Sequence, residues 1–511
     1  MKILDCTIRD GGYYTNWDFD KKLVDIYIEA CNKLPIDYLE IGYRSNQQDG
    51  YLGEFFYLPI FVLEELKQKS NKKLVIILNE KDVLAKDLPG LLKPCIGLID
   101  MVRLAIDPKQ FDRAINLAKE VKKMGFEIGF NVMYMSTWKT QNNFIELLPE
   151  VNGVADYFYM VDSFGGVFPE DVKEIYNIIK EKINVPIGFH GHNNLELGLI
   201  NTLTAIECGA EIVDATFTGM GRGAGNLKTE LLLIALNAKG KLDFDFNALS
   251  KVVDGFTELQ KIHEWGTNLP YMFSGANSLP QKQVMEWVSK RFYSFNSIIR
   301  ALNNHNEGVK DNTKLPVFNF NSEKKYNKVL IVGGGPSVIY HFQAIEKFLK
   351  NNSDILIIHA SSKNASSFKS LENDQYFCLI GNEGHRLEEV FKHKDINGKC
   401  ILPPYPRTMG TYIPQSMMDK SYELSEVNFT KKYKDSHTAL ALQSLIELKI
   451  DNVYIIGYDG YSGNKIGEKE QELFMENQEL FNLIKTKNIK LNSLTPTKYS
   501  ELNEDSVYAI I

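Results

Sequence analysis

Along roughly the first 240 residues, short apolar runs alternate with longer stretches whose apolar positions recur at helical spacing. The strand-like runs are Ile3–Ile8, Tyr38–Tyr43, Leu74–Leu78, Met101–Ile106, Glu127–Met133, Tyr157–Asp162, Pro186–His192 and Ile212–Phe217. Each is short and bounded by polar residues or glycine, which suits strands covered on both faces of a parallel sheet. The segments between them, such as Gln110–Met124, carry the period of amphipathic helices. This rhythm predicts a (β/α)8 barrel, with a doubly wound open sheet as its rival. The polar residues favour the barrel. Asp10, Glu40, Arg44, Asn131, Ser163, His190, His192 and Thr218 nearly all lie at or just past strand C-termini, where a barrel assembles its site.

Beyond the repeating units, residues 243–302 read as a helical extension broken at Pro270 and Pro280. An Asn-, Lys- and Glu-rich stretch over 303–325 reads as a linker. A second alternation fills 326–511, with strands at Lys328–Val332, Asp354–His359 and Val453–Ile456. The fold class expected is therefore α/β: a TIM barrel over 1–242, its helical extension, and a second, open-sheet Rossmann-like domain.

At 511 residues the chain exceeds one compact core. With 44% hydrophobic and 24% charged residues it has a globular composition. A net charge of -7 with no basic stripe gives nucleic-acid binding no electrostatic support. Six dispersed cysteines without C-x-x-C spacing fit buried thiols in a reducing compartment. The sequence opens directly on a strand and has no apolar run of membrane-spanning length, so a cytoplasmic protein without membrane contact is expected.

The chemistry is concentrated in His190-Gly191-His192. Residues two apart on a strand face the same way, and Asp10 at another strand end can complete a two-histidine, one-carboxylate metal site with open positions. A single strand histidine is more simply a hydrogen-bonded core residue. The pairing of His-x-His with Arg9-Asp10-Gly11 is what raises the metal reading above that alternative. Mn²⁺ or Mg²⁺ suits the mixed nitrogen and oxygen set, and Zn²⁺ is the alternative.

Residues 1 to about 300 resemble the DRE-TIM metallolyase superfamily, which includes hydroxymethylglutaryl-CoA lyase, isopropylmalate synthase and 4-hydroxy-2-oxovalerate aldolase. The signature residues match Asp10, Arg9 and Glu40, and the metal pair matches His190 and His192. The segments Gly219–Asn226, Tyr159–Ser163 and Leu269-Pro270-Tyr271 are similar to the aldolase branch. The resemblance implies a class II aldolase acting on pyruvate and an aldehyde through a pyruvate enolate. It implies Arg9 and Glu40 as catalytic residues and Ser163 and Asn226 as substrate-binding ones. It also suggests a homodimer. The aldolases carry a catalytic histidine shortly after Arg-Asp-Gly; this chain has Tyr13 there. Tyr13 and Tyr271 are the candidate proton carriers.

In the second domain, Gly333-Gly334-Gly335-Pro336-Ser337 lacks the third glycine of a dinucleotide fingerprint, so NAD is not expected. The turn is similar to those of pterin-pyrophosphokinase-like domains and bacterial sialyltransferases. That resemblance implies a phosphate, nucleotide or nucleotide sugar on Gly333, Gly335 and Ser337, with Ser436-His437-Thr438 facing it. The combination suggests keto-sugar or surface-glycan synthesis. Two further readings are an acyl-CoA-dependent Claisen-type acyltransferase and a non-catalytic barrel supporting the second domain.

Overall fold

Eight parallel strands close on themselves in the first half of the chain, in sequence order from β1 to β8. They are β1 (Lys2–Asp5), β2 (Tyr38–Tyr43), β3 (Lys73–Asn79), β4 (Met101–Ile106), β5 (Glu127–Val132), β6 (Tyr157–Asp162), β7 (Ile187–Gly191) and β8 (Ile212–Ala215). The computed structural model describes residues 1–289, 295–307, 314–320, 326–392, 396–407, 411–461 and 468–511.

The period-2 alternation of strands sorts the barrel's side chains. Ile3, Leu39, Val102, Leu104, Phe158, Met160, Phe189 and Val213 point outward into the main core beneath the helices. Leu4, Tyr38, Met101, Tyr157, Tyr159 and Ile212 point inward and fill the barrel's lower interior. One step further along the same inward rows stand Glu40, Arg103, His190 and Asp214, all buried. The floor is apolar and the next layer is ionic.

One expected strand is shorter than the pattern suggested. Strand β1 stops at Asp5, and Thr7–Thr15 is a helix, so Arg9 and Asp10 occupy a helical first turn rather than a strand end. The Asp5 carboxylate fixes this switch: it accepts from Thr7 N at 3.0 Å, Tyr27 OH at 2.8 Å and Thr229 Oγ1 at 2.7 Å. Asp10 in that first turn also lies at the positive end of the helix dipole.

The chain separates into two compact units, Met1–Met285 and Glu286–Ile511. The division falls inside the span 243–302 read as the barrel's extension. Helices Phe246–His263 and Leu269–Ala276 belong to the first unit, whereas Phe295–Asn306 belongs to the second. There Arg300 Nη2 meets His385 Nε2 at 3.1 Å. Of the expected linker, 308–313 and 321–325 lie outside the described residues. The described part is packed: Leu315 and Phe318 are buried, and Phe318 N donates to Glu423 O at 2.8 Å.

The second unit holds one open sheet of parallel strands: β9 (Val329–Val332), β10 (Leu356–His359), β11 (Gln375–Cys378), β12 (Lys399–Leu402), β13 (Ser421–Glu423), β14 (Asn452–Ile456), β15 (Lys490–Ser493) and β16 (Asn503–Glu504). Their order is β13-β12-β11-β10-β9-β14-β15-β16, so the direction of strand addition reverses between β9 and β14. Among the described residues no helix is long and apolar enough to cross a membrane.

Candidate active site

The helix Thr7–Thr15 brings Arg9 and Asp10 over the barrel's ionic layer. Its Gly11-Gly12 pair is there because of close packing: a Cβ on Gly12 would come 2.2 Å from the Trp17 ring. Trp17 Nε1 in turn donates to Arg9 O at 2.9 Å, fixing the backbone at Arg9. The Arg9 guanidinium is gripped from two sides, Nε on Glu40 Oε2 at 2.5 Å and Nη1 on Asp10 Oδ1. Its Nη2 is the nitrogen neither carboxylate engages.

Glu40 is shared. Its other oxygen accepts from Arg103 Nη1 at 3.2 Å, and the register of β2 against β3 shifts just after it, between Glu40 and Gly42. Arg103 also donates through Nη2 to Asp214 Oδ2 at 2.6 Å and to Asn131 Oδ1, and its guanidinium stacks 4.0 Å over the Tyr159 ring. Asp10, Glu40 and Asp214 thus share two guanidiniums, leaving one unit of negative charge among five buried groups. Burial pushes the Asp10 carboxyl up, but Arg9, the two histidines and the Asn226 amide outweigh it and hold it below the ordinary value. Asp214 is likewise held low, with Arg103 and His190 overcoming its burial.

Both histidines are oriented through Nδ1. His190 Nδ1 pairs with Asp214 Oδ2 at 2.8 Å, and His192 Nδ1 donates to the Asp162 carbonyl at 2.7 Å. The rings stand edge to face with centroids 5.0 Å apart. In each case Nε2 is the nitrogen left for a ligand, an orientation typical of metal-binding histidines. Burial, then His190, lowers His192 to about 3, so it is neutral at pH 7 and its lone pair is available. His190 Nε2 lies 3.7 Å from Asp10 Oδ2. Two ligands each about 2.1 Å from one cation stand roughly 3 to 4 Å apart.

Asn226 completes this group. The backbone of His192 bridges that of Asn226, which brings the amide to Asp10, where Nδ2 donates to Oδ2 at 2.7 Å. Its Oδ1 is buried without a hydrogen-bond partner. An orphaned carbonyl oxygen on an amide that bonds the Asp10 carboxylate fits a divalent cation, which the family described below implies. Cys6, His190 and Asp214 also bring ligand atoms within 4.8 Å of one another. That trio is a poorer cage. Burial and the Asp10 charge push the Cys6 thiol well up, so it stays protonated, and Asp214 Oδ2 already accepts from both Arg103 and His190.

The remaining candidates line the mouth or wall. Ser163 is buried after β6, and its Oγ accepts from Tyr134 N at 2.8 Å, leaving the hydroxyl proton to donate. It does not cap the following helix, whose N-cap is Phe168. Tyr13 OH sits 3.2 Å from Tyr43 OH, with the Arg222 guanidinium 5.4 Å from its ring centroid. Tyr271 interacts through its hydroxyl with Tyr14; burial, then Tyr14, push it far above neutrality. That shift holds the Tyr271 phenol in its protonated form. Arg44 is structural, donating to the carbonyls of Leu91, Tyr57 and Leu58. Arg103 and Asp214 went unremarked in the sequence, although a charge inside an apolar strand such as Met101–Ile106 is a signal for a buried partner.

In the second unit, a cavity of about 490 Å³ opens where the strand order reverses, lined among others by Gly333, Gly335, Ser436, His437, Thr438 and Tyr458. Within the turn, Gly333 N and Gly335 N donate to the carbonyls of Ile456 and Gly457, at 2.9 and 2.8 Å. Ser337 N and Oγ donate to the two oxygens of Asp459.

Residues 101–266 match the HMGL-like family. The chain is 32% identical over 273 residues to 4-hydroxy-2-oxovalerate aldolase of Pelotomaculum thermopropionicum, covering 51% of this chain and 76% of that one. It is 31% identical over 252 residues to the enzyme of the same name from Geobacillus genomosp. 3, covering 47% and 71%. Among solved structures, the N-terminal domain of a protein described as an aldolase from Bacteroides vulgatus is 58% identical, with a TM-score of 0.57. It covers 59% of this chain and 100% of its own. With its closed barrel, its Arg9–Glu40 pair and these relatives, the chain belongs to the HMGL-like (DRE-TIM) family.

Proposed function

We propose that the barrel is a divalent-metal-dependent aldolase, a carbon–carbon lyase that forms or cleaves a 4-hydroxy-2-keto acid from pyruvate and an aldehyde. The observation that carries this reading is the convergence of Asp10 Oδ2 and His190 Nε2, 3.7 Å apart, with the Nδ1 of His190 and of His192 already engaged. Asp10, His190 and His192 would hold the cation, with Asn226 Oδ1 as a fourth protein donor. When bound, a divalent cation supplies Lewis-acid polarisation of the keto oxygen, which makes the neighbouring C–H bonds acidic.

The chain's own groups do the rest. Arg9, immobilised by Glu40 and Asp10, directs Nη2 at the developing negative charge without having to reorganise. The Ser163 hydroxyl donates to the pyruvate carboxylate. Tyr13, on the Arg222 side of the site, carries the proton. In the condensing direction pyruvate C3 loses a proton and bonds to the aldehyde carbon, and the aldehyde oxygen gains a proton. Nothing is oxidised or reduced.

Incubating the full chain with Mg²⁺, pyruvate and a panel of aldehydes tests the reading. The expected result is a 4-hydroxy-2-keto acid detected by mass spectrometry. No such product with any aldehyde, together with thiol release from acetyl-CoA, would replace it with the acyltransferase reading.

A further inference from the structure

We infer that the aldehyde partner carries an anionic group, a carboxylate or a phosphate, and that Arg222 selects it. The inference deepens the aldolase reading and rests on it. Arg222 stands on the loop Gly219–Asn226, which folds back on itself. Asn226 N donates to Gly219 O at 3.0 Å and Gly225 N to Arg222 O at 3.2 Å. A side chain at Gly225 (φ 79°) would put its Cβ 2.0 Å from Gly219 O, so only glycine permits the return. Tyr14 OH clamps the loop by donating to Gly223 O at 2.9 Å. The backbone carrying Arg222 is therefore fixed.

Arg222 is half-buried, lies against Tyr13, and is near enough to His192 and Tyr134 to act on both electrostatically. Among the described residues no carboxylate pairs with it; its one recorded partner is the Tyr13 ring. The carboxylates deeper in the barrel are committed elsewhere: Glu40 to Arg9 and Arg103, Asp214 to Arg103 and His190, and Asp10 to Arg9.

Charge balance then points outward. The five inner groups sum to one negative charge. A divalent cation and the single carboxylate of a keto acid together bring that to zero. Arg222 stands outside that set, beside Tyr13, with no carboxylate of its own among the described residues. A planar guanidinium fork matches carboxylate and phosphate oxygens, and this one lies 5.4 Å from the Tyr13 ring centroid. A neutral aldehyde would leave this cation without a counter-charge in a half-buried wall.

The test uses the full chain with Mg²⁺, pyruvate and two matched aldehyde pairs, butanal against 4-oxobutanoate and glyceraldehyde against glyceraldehyde 3-phosphate. Aldol addition is read as kcat/KM. The charged member of at least one pair should be favoured by roughly 10- to 100-fold, the span of a charge-assisted hydrogen bond. The pair that shows it tells carboxylate from phosphate. Arg222→Ala should abolish the preference, with the loss in the KM for the anionic aldehyde, and Arg222→Lys should restore part of it. Equal use of charged and neutral members overturns the inference. So does an Arg222→Ala variant whose pyruvate KM rises equally with both members, because Arg222 would then hold the keto acid. Exchange of the C3 hydrogens of pyruvate without any aldehyde separates the two levels. Exchange without charge preference sinks only the role of Arg222, whereas no exchange at all sinks the aldolase reading and this inference together.

Discussion

Tyr13 stands where the aldolases of the family place a histidine, and the structure puts its hydroxyl beside Tyr43 and its ring beside Arg222. The Arg222 guanidinium lies 5.4 Å from its ring centroid, and a positioned phenol is among the side chains that carry protons in general acid–base catalysis. Tyr13→Phe keeps the packing and removes the proton carrier. It should lower kcat by about 10²- to 10⁴-fold with little change in the pyruvate KM. Undiminished turnover would assign the proton to another group. A second residue, His359, makes a pH prediction in the other unit. It is fully buried, with Nε2 on Gln375 Oε1 at 2.9 Å, and burial lowers it to about 4. Its unfolded value is about 6.5, so between those limits the unfolded chain binds a proton that the native one refuses. Stability is full above pH 6.5 and falls as pH drops toward 4, by about 2 kcal/mol at pH 5 from this group. Urea unfolding at pH 7 and pH 5 should show that loss, and His359→Gln, which keeps a donor to Gln375, should flatten it.

At the scale of elements, the ionic layer links strands that the ladders do not pair. Arg103 on β4 reaches Glu40 on β2, Asn131 on β5 and Asp214 at β8. Arg103→Ala would leave two buried carboxylates short of a partner and should cost about 3–5 kcal/mol in chemical denaturation. A loss below 1 kcal/mol would mean water or rearrangement replaces the guanidinium. These strands were legible from their apolar runs, because fully covered strands need apolar residues on both faces. Which parity faced inward was not, since both read as apolar until a charge intrudes. The arginine in Met101–Ile106 and the aspartate in Ile212–Ala215 were the visible marks of the inward row. The helix at Thr7 was hidden for a different reason. Gly11 and Gly12 are poor helix residues, and it takes the Asp5 bonds together with Trp17 and Met220 packing against the glycines to make helix the local choice.

For the whole molecule, the barrel and the open sheet were both readable from the order of strands and helices, because sequence-adjacent units dock on one another in such folds. The position of the break was not. Composition marked 303–325 as polar, yet Leu315 and Phe318 within it are buried, and the helix before it, Phe295–Asn306, belongs to the second unit. A few apolar anchors outweigh a polar average. The pairing of the glycine turn was not legible either: its sequence advertises amide donors, and in the fold Ile456, Gly457 and Asp459 accept from Gly333, Gly335 and Ser337. The Bacteroides vulgatus domain stands alone as a solved structure, at 58% identity. A chain cut to the share that this domain covers, 59% of the present one, should accordingly fold by itself, giving one cooperative melt and barrel chemistry equal to that of the full chain. A fragment that aggregates or melts without cooperativity would show that the barrel needs residues beyond it.

The central claim is that Asp10, His190 and His192 form a cation site that makes pyruvate a carbon acid. The most direct measurement is deuterium incorporation at pyruvate C3 in D₂O, followed by mass spectrometry, with the full chain before and after EDTA treatment and with Asp10→Asn. The account predicts rapid exchange that stops when metal is removed, returns with Mg²⁺ or Mn²⁺, and is lost in Asp10→Asn. Exchange that persists at the same rate in the stripped protein and in Asp10→Asn would contradict it.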